Sequence, residues 1–277
     1  MKQKISIAIS PCPNDIFLFG PLLREKIESH FTYDISIFPL DKLNFLATQK
    51  NKDILKLSFP TIFSAMEDYI LLPYGSAISE TEGPIVVSNF SGNINKSCFK
   101  IAIPGLGTTS DLLVRLLYPH LQRFYCSYKD IVCNVERKKV DLGIIVHESR
   151  SCYDKYNLTF VNNMGKSWYK KFSCPLPLGG VVARRSLDFV SLKKICDDLI
   201  NSLFFSEKNP AFIFSEMEKY SQEKSKNLLF NHVHSFIKNN NYGICEHEKY
   251  GIKKMYSLYC REFKKEKSNI NNLFLKI

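Results

Sequence analysis

Four short stretches of this chain place polar side chains directly behind apolar runs. They are Ser10 to Asp15 (SPCPND), Lys56 to Ser58 (KLS), Gly105 to Asp111 (GLGTTSD) and His147 to Arg150 (HESR). Each offers different chemistry. His147 ends the run VDLGIIVH, and an imidazole with an unperturbed pKa of about 6.5 is suited to accept a proton at neutral pH. Glu148 and Arg150 stand close enough in sequence to orient or tune the ring. The competing reading is a structural histidine at a strand end. The glycine-rich turn offers free backbone N–H groups, with the hydroxyls of Thr108 and Thr109, to an anion or a polyol. One polar residue there is needed simply to cap the helix that follows. The doubled threonine tilts the balance towards a ligand.

Several chemistries are excluded by spacing. IPGLGTTSD has neither the GK[ST] ending of a Walker loop nor a full G-x-G-x-x-G, so nucleotide triphosphate binding is not expected. His147-Glu148 lacks the second histidine of H-E-x-x-H. His232 and His234 are two apart on a helical stretch, where side chains do not face one another, so no metal site is expected. No serine sits in a G-x-S-x-G elbow. The nine cysteines form no C-x-x-C pair, which argues for reduced thiols rather than zinc or redox motifs. Nothing in the sequence marks Cys12 as a nucleophile.

The elements that must position these residues alternate. KISIAIS, TYDISIFP, ILKLSFP, GPIVVS, FKIAIPG and VDLGIIVH are strand-like, with helical stretches between most of them, which predicts α/β architecture with open, mostly parallel sheets. Four helical segments close the chain, beginning with SLKKICDDLINSLFFSE. Two strand-rich series with a helical ending predict a discontinuous first lobe, residues 1–87 and 181–277, and an inserted second lobe, residues 88–180. Two extended crossovers, GPIVVS and LPLGGVVARR, would join them. Ligands of open α/β sheets bind beyond the carboxyl ends of strands, so the four polar stretches are expected to converge on a cleft between the lobes.

The bulk numbers agree. A chain of 277 residues, 45% hydrophobic and 23% charged, suits a globular protein of two ordinary domains. The net charge of +11 is spread along the chain, and only REFKKEK is a cluster, so nucleic acid is not an expected partner. No apolar run reaches the roughly 18 residues of a membrane helix. The first apolar stretch stops at Pro11, too soon for a signal peptide, which predicts a cytoplasmic protein with no membrane partner.

Taken together and in order, SPCPND, LKLSF, GTTS, VDLGIIVHESR and LPLGG resemble the 1,4-dihydroxy-6-naphthoate synthase family of the futalosine route to menaquinone. The resemblance runs over nearly the whole chain. It implies a two-lobed, periplasmic-binding-protein-like fold of type II. It also implies a cofactor-independent lyase that splits a small-molecule substrate, cyclic dehypoxanthinylfutalosine, into 1,4-dihydroxy-6-naphthoate and dihydroxyacetone. His147 matches the family's proton acceptor. Lys56, Leu57 and Ser58 match one substrate-binding segment, Thr108 and Thr109 a second, and Asn14 falls in the first loop. Two places depart from the pattern. Ser76 and Ser79 stand where glycine is usual, and the segment around Lys238 differs, which bears on pocket shape rather than on the base. Two alternatives remain: chorismate dehydratase of the same pathway, favoured less by SPCPND and HESR, and a non-catalytic solute-binding protein.

Overall fold

The computed structural model describes residues 2–92, 94, 98–146, 153–221, 223–236 and 243–276. His147, Glu148 and Arg150, and the segment around Lys238, lie outside the described residues. The chain opens with β1 (Lys4–Ile9), α1 (Pro13–Leu23), β2 (Thr32–Ile37), α2 (Leu40–Gln49), β3 (Ile54–Ser58), α3 (Phe59–Ser64), β4 (Tyr69–Leu71) and β5 (Ala77–Ser79). A second series follows: β6 (Ile85–Ser88), β7 (Lys100–Ile103), α4 (Thr109–Leu117), β8 (Gln122–Tyr125), α5 (Ile131–Glu136), β9 (Leu142–Ile145), β10 (Thr159–Asn163) and α6 (Met164–Phe172). The chain then returns through β11 (Leu176–Arg184) to α7 (Phe189–Lys208), α8 (Pro210–Tyr220), α9 (Lys226–Phe236) and α10 (Glu246–Glu262).

Two sheets result. One has the order β2-β1-β3-β11-β4, with β5 also on β11; the other runs β10-β6-β9-β7-β8. Neither is mostly parallel, contrary to the expectation from alternating elements. β2, β1 and β3 are parallel, as are β8, β7 and β9. β11 is antiparallel to β3, β4 and β5, and β6 is antiparallel to β9 and β10. The two extended crossover segments are the cause. Each enters its sheet from the other one, so no strand–helix–strand return within one sheet sets it parallel to its neighbours. The edge strands β8 and β10 escaped the sequence pattern because edges are exposed. All four residues of β8 are exposed, and no residue of β10 is fully buried.

β3 shows how a strand serves a core and a cleft at once. Side chains alternate between faces, so Lys56 and Ser58 share one side and Leu57 takes the other. Leu57 joins an apolar cluster that runs without a break from the first sheet to the second, including Leu71, Ile101, Leu142 and Ile144. α10 completes that cluster from outside, with Ile252, Met255, Tyr256 and Tyr259 buried. The Phe63 ring of α3 packs against Tyr256 and Tyr259, with centroids 5.3 and 5.5 Å apart. No described helix is long and apolar enough to cross a membrane.

Candidate functional site

The cleft is built where strands of both sheets end. Its open space, mouth included, is about 860 Å³. Ser10, Cys12, Asn14 and Asp15 line it from the β1–α1 junction, Lys56 and Ser58 from β3, and Thr108, Thr109 and Ser110 from the start of α4. Val146, the last described residue before His147, lines it too. Leu57 does not; its side chain is fully buried in the apolar cluster.

Lys56 is a lysine in the middle of a buried strand, 6% exposed. Such a charge is costly unless paired. Its Nζ lies 2.9 Å from Asp15 Oδ1 and donates to the Gly75 carbonyl at 2.6 Å. Asp15 in turn accepts from the Ser10 hydroxyl at 2.5 Å and the Ser10 amide at 3.2 Å. Room for Lys56 comes from Gly179, opposite Ser58 in the β11 register. A Cβ there would stand 3.4 Å from Lys56 Cε and 2.9 Å from the Leu57 carbonyl. Gly179 of LPLGG is thus a packing requirement of the cleft wall, and Gly180 one of the apolar cluster behind it, where a Cβ would stand 2.6 Å from Leu71 Cδ1.

Ser58 is held from α2: its amide donates to Asn44 Oδ1 at 3.1 Å, and its hydroxyl accepts from Asn44 Nδ2 at 3.3 Å. Thr108 is the N-cap of α4, accepting from the Asp111 amide at 3.2 Å and donating to the Gly105 carbonyl at 2.9 Å. Thr109 reaches across to the first sheet, where its hydroxyl donates to the Leu178 carbonyl of β11 at 2.6 Å. The turn before α4 needs its glycines: Gly105 and Gly107 adopt φ of +106° and +73°. The Thr61 hydroxyl of α3 donates to the Gly107 carbonyl at 3.2 Å, another link between the sheets. Asn14 is 7% exposed, and its Oδ1 has no hydrogen-bond partner among the described residues.

Three contributors were missed by sequence reasoning. Asp15 lay inside a quoted stretch without a role. Gly179 was visible only as a motif. His232, set aside as a metal ligand, lines the cleft from α9, with its Nε2 3.4 Å from Cys12 Sγ. A signal existed: Leu229, His232, Val233 and Phe236 recur at the spacing of one helical face, and all four are buried. His234 falls on the other face. Among the described residues, no group of three or more His, Cys, Asp or Glu is gathered as metal ligands would be. The described cysteines form no disulfide with one another.

The comparisons with known proteins point the same way as the cleft. The family model described as menaquinone biosynthesis matches residues 5–261. The chain is 28% identical over 235 residues to the 1,4-dihydroxy-6-naphthoate synthase of Thermus thermophilus, covering 85% of this chain and 86% of the relative. It is 28% identical over 239 residues to the enzyme of that name from Streptomyces coelicolor, covering 84% of each. Among solved structures, a protein of Archaeoglobus fulgidus superposes with a TM-score of 0.89 at 24% identity, over 94% of this chain and 98% of that one. The ligand-binding component of an ABC-type import system from Staphylococcus aureus follows at 0.74 and 12%, over 99% and 97%. The aliphatic sulphonate-binding protein of Escherichia coli gives 0.69 and 10%, over 100% and 93%. These likenesses establish a two-lobed, periplasmic-binding-protein-like α/β fold with a cleft between the lobes.

Proposed function

Because the chain belongs to the menaquinone-biosynthesis family, we propose that it is a 1,4-dihydroxy-6-naphthoate synthase, a carbon–carbon lyase acting on cyclic dehypoxanthinylfutalosine. The lobes divide near residues 88 and 180, within the crossover segments, and the substrate binds between them. The enzyme works in the cytoplasm and without a cofactor. The observation that carries this reading is convergence. Every described stretch singled out for its polar residues lines one cleft, and the strand leading to His147 delivers Val146 there.

In this reading His147 accepts a proton from the bound substrate. The electrons released break a carbon–carbon bond in the sugar-derived part. The fragment that leaves becomes dihydroxyacetone, and the remaining bicycle becomes aromatic. Aromatisation drives the step, so a positioned base, worth about 10²–10⁴-fold in rate, supplies the chemistry the protein must add. Lys56 and Ser58 bind from β3, with Leu57 anchoring the strand between them. Thr108 shapes the turn, Thr109 sits at the α4 start facing β11, and Asn14 accepts a substrate hydroxyl with its Oδ1. Closure of the lobes would hold the reacting atoms in place and exclude water. The test is incubation of the purified protein with cyclic dehypoxanthinylfutalosine, followed by mass spectrometry. Stoichiometric 1,4-dihydroxy-6-naphthoate and dihydroxyacetone are expected. Unchanged substrate would overturn the reading, and chorismate conversion in a parallel reaction would replace it with the dehydratase.

A further inference from the structure

One wall of the cleft carries a thiol–imidazole pair. Cys12 Sγ lies 3.4 Å from His232 Nε2, and the two side chains are 9% and 7% exposed. Cys12 is the N-cap residue of α1, an eleven-residue helix, yet its sulfur makes no capping bond. The sulfur therefore sits at the positive end of the helix dipole and against a ring that can take its proton. Both are features of activated thiols, and the burial of the sulfur works against them. Asp15, one turn into α1, opposes it, but Lys56 is ion-paired to that carboxylate at 2.9 Å. The His232 ring is steadied by Phe236, with centroids 5.1 Å apart. Beside the pair, the buried Oδ1 of Asn14 has no hydrogen-bond partner among the described residues. That acceptor marks this corner as one completed by a bound molecule bearing a hydrogen-bond donor.

We propose that Cys12 is a nucleophilic thiol, activated by His232, that captures hydroxyl-bearing α,β-unsaturated carbonyl compounds entering the cleft. In the step, Sγ forms a bond to the β-carbon of the electrophile. The carbon–carbon π pair moves towards the carbonyl, giving an enolate, and the enolate takes the proton held by His232. The product is a neutral thioether beside a neutral imidazole. No net electrons are gained or lost, so no co-reactant is needed. The apolar flank formed by Val146, Leu178 and Phe236 suits flat, conjugated members of this class.

Labelling needs no turnover, so it stands or falls separately from the synthase assay. Methyl vinyl ketone at limiting concentration, followed by peptide mass spectrometry, gives a rate for each cysteine. Cys12 is expected to react at least about tenfold faster than the buried Cys174 and Cys196. Burial pushes the Cys196 thiol up to about 12, which makes it an inert reference. His232→Gln should slow Cys12 at least about tenfold while leaving the exposed Cys98 and Cys245 unchanged. Cys12 reacting no faster than Cys196 overturns the proposal. So does an unchanged Cys12 rate in folded His232→Gln. Should that variant unfold, seen as rapid labelling of Cys174 and Cys196, the wild-type rates decide alone.

Discussion

Thr108 and Thr109 are neighbours whose hydroxyls serve different parts of the molecule. Thr108 is occupied locally, on the Asp111 amide and the Gly105 carbonyl. Its loss is a helix-cap loss, so Thr108→Ala should lower stability by about 0.5–2 kcal/mol, read from a denaturant midpoint. Thr109 instead bonds to Leu178 of the other sheet at the cleft. Thr109→Val keeps the shape but leaves that carbonyl without its donor. It should weaken ligand binding by about 1 kcal/mol by calorimetry, with a smaller change in melting temperature than Thr108→Ala. The two sites adjoin, so their effects need not add. His147 lies outside the described residues, and its proposed role is tested by function. His147→Asn should cut turnover by at least about 10²-fold while preserving the melting temperature. A variant that melts early and loses activity only with folded fraction would return His147 to a structural role.

At the scale of elements, the β3–β11 pair is the frame of the cleft. Leu57 lies opposite Gly180, and Ser58 opposite Gly179. The absence of a side chain at Gly179 lets Lys56 lie along the sheet towards Asp15. Gly179→Ala would force a Cβ to 2.9 Å from the Leu57 carbonyl, a backbone atom that cannot swing aside. We expect a loss of about 1–3 kcal/mol in stability from the overpacking. Binding should suffer as well, because β11 must shift from β3 and carries the cleft wall with it. A crystal structure or a thermal melt of the variant checks the first effect, and calorimetry the second. An unchanged melting temperature would mean that β11 can move away from β3, which the shared register makes costly.

At the scale of the whole molecule, distant parts of the chain are fastened by a few buried charges as well as by the apolar cores. Glu216 of α8 is 4% exposed and takes Arg24, at the end of α1, at 2.8 Å, with Lys219 as its second partner. Burial alone would raise its carboxyl, but hydrogen bonds from Lys219 and Arg24 outweigh that and hold the pKa below the ordinary 4.5. A depressed carboxylate contributes stability above its unfolded pKa, and the contribution fades as pH falls through the folded value. Between about pH 5 and pH 3, wild-type protein should therefore lose more stability than Glu216→Gln, measured by urea midpoints. Equal losses would show that α1 and α8 are held by apolar contacts alone.

Local pattern determined much of this protein. Alternation in ILKLS puts Lys56 and Ser58 on one face and Leu57 on the other in whatever sheet the strand joins. The strand-then-polar rhythm marked the cleft stretches before any contact was known, and the five ordered motifs carried the family. What periodicity cannot hold is the identity of partners far apart in the chain. Cys12 and His232 are separated by 220 positions, and Lys56 meets Asp15 only because β3 lies beside β1. Strand sense in β6 and β11 was likewise decided by which sheet each enters, since an extended segment reads the same in both directions of pairing. The exposed edges β8 and β10 left little apolar signal to read. Which face of β3 became the cleft wall was settled by packing: the unbroken apolar cluster took Leu57, and the gap at Gly179 left room for a lysine.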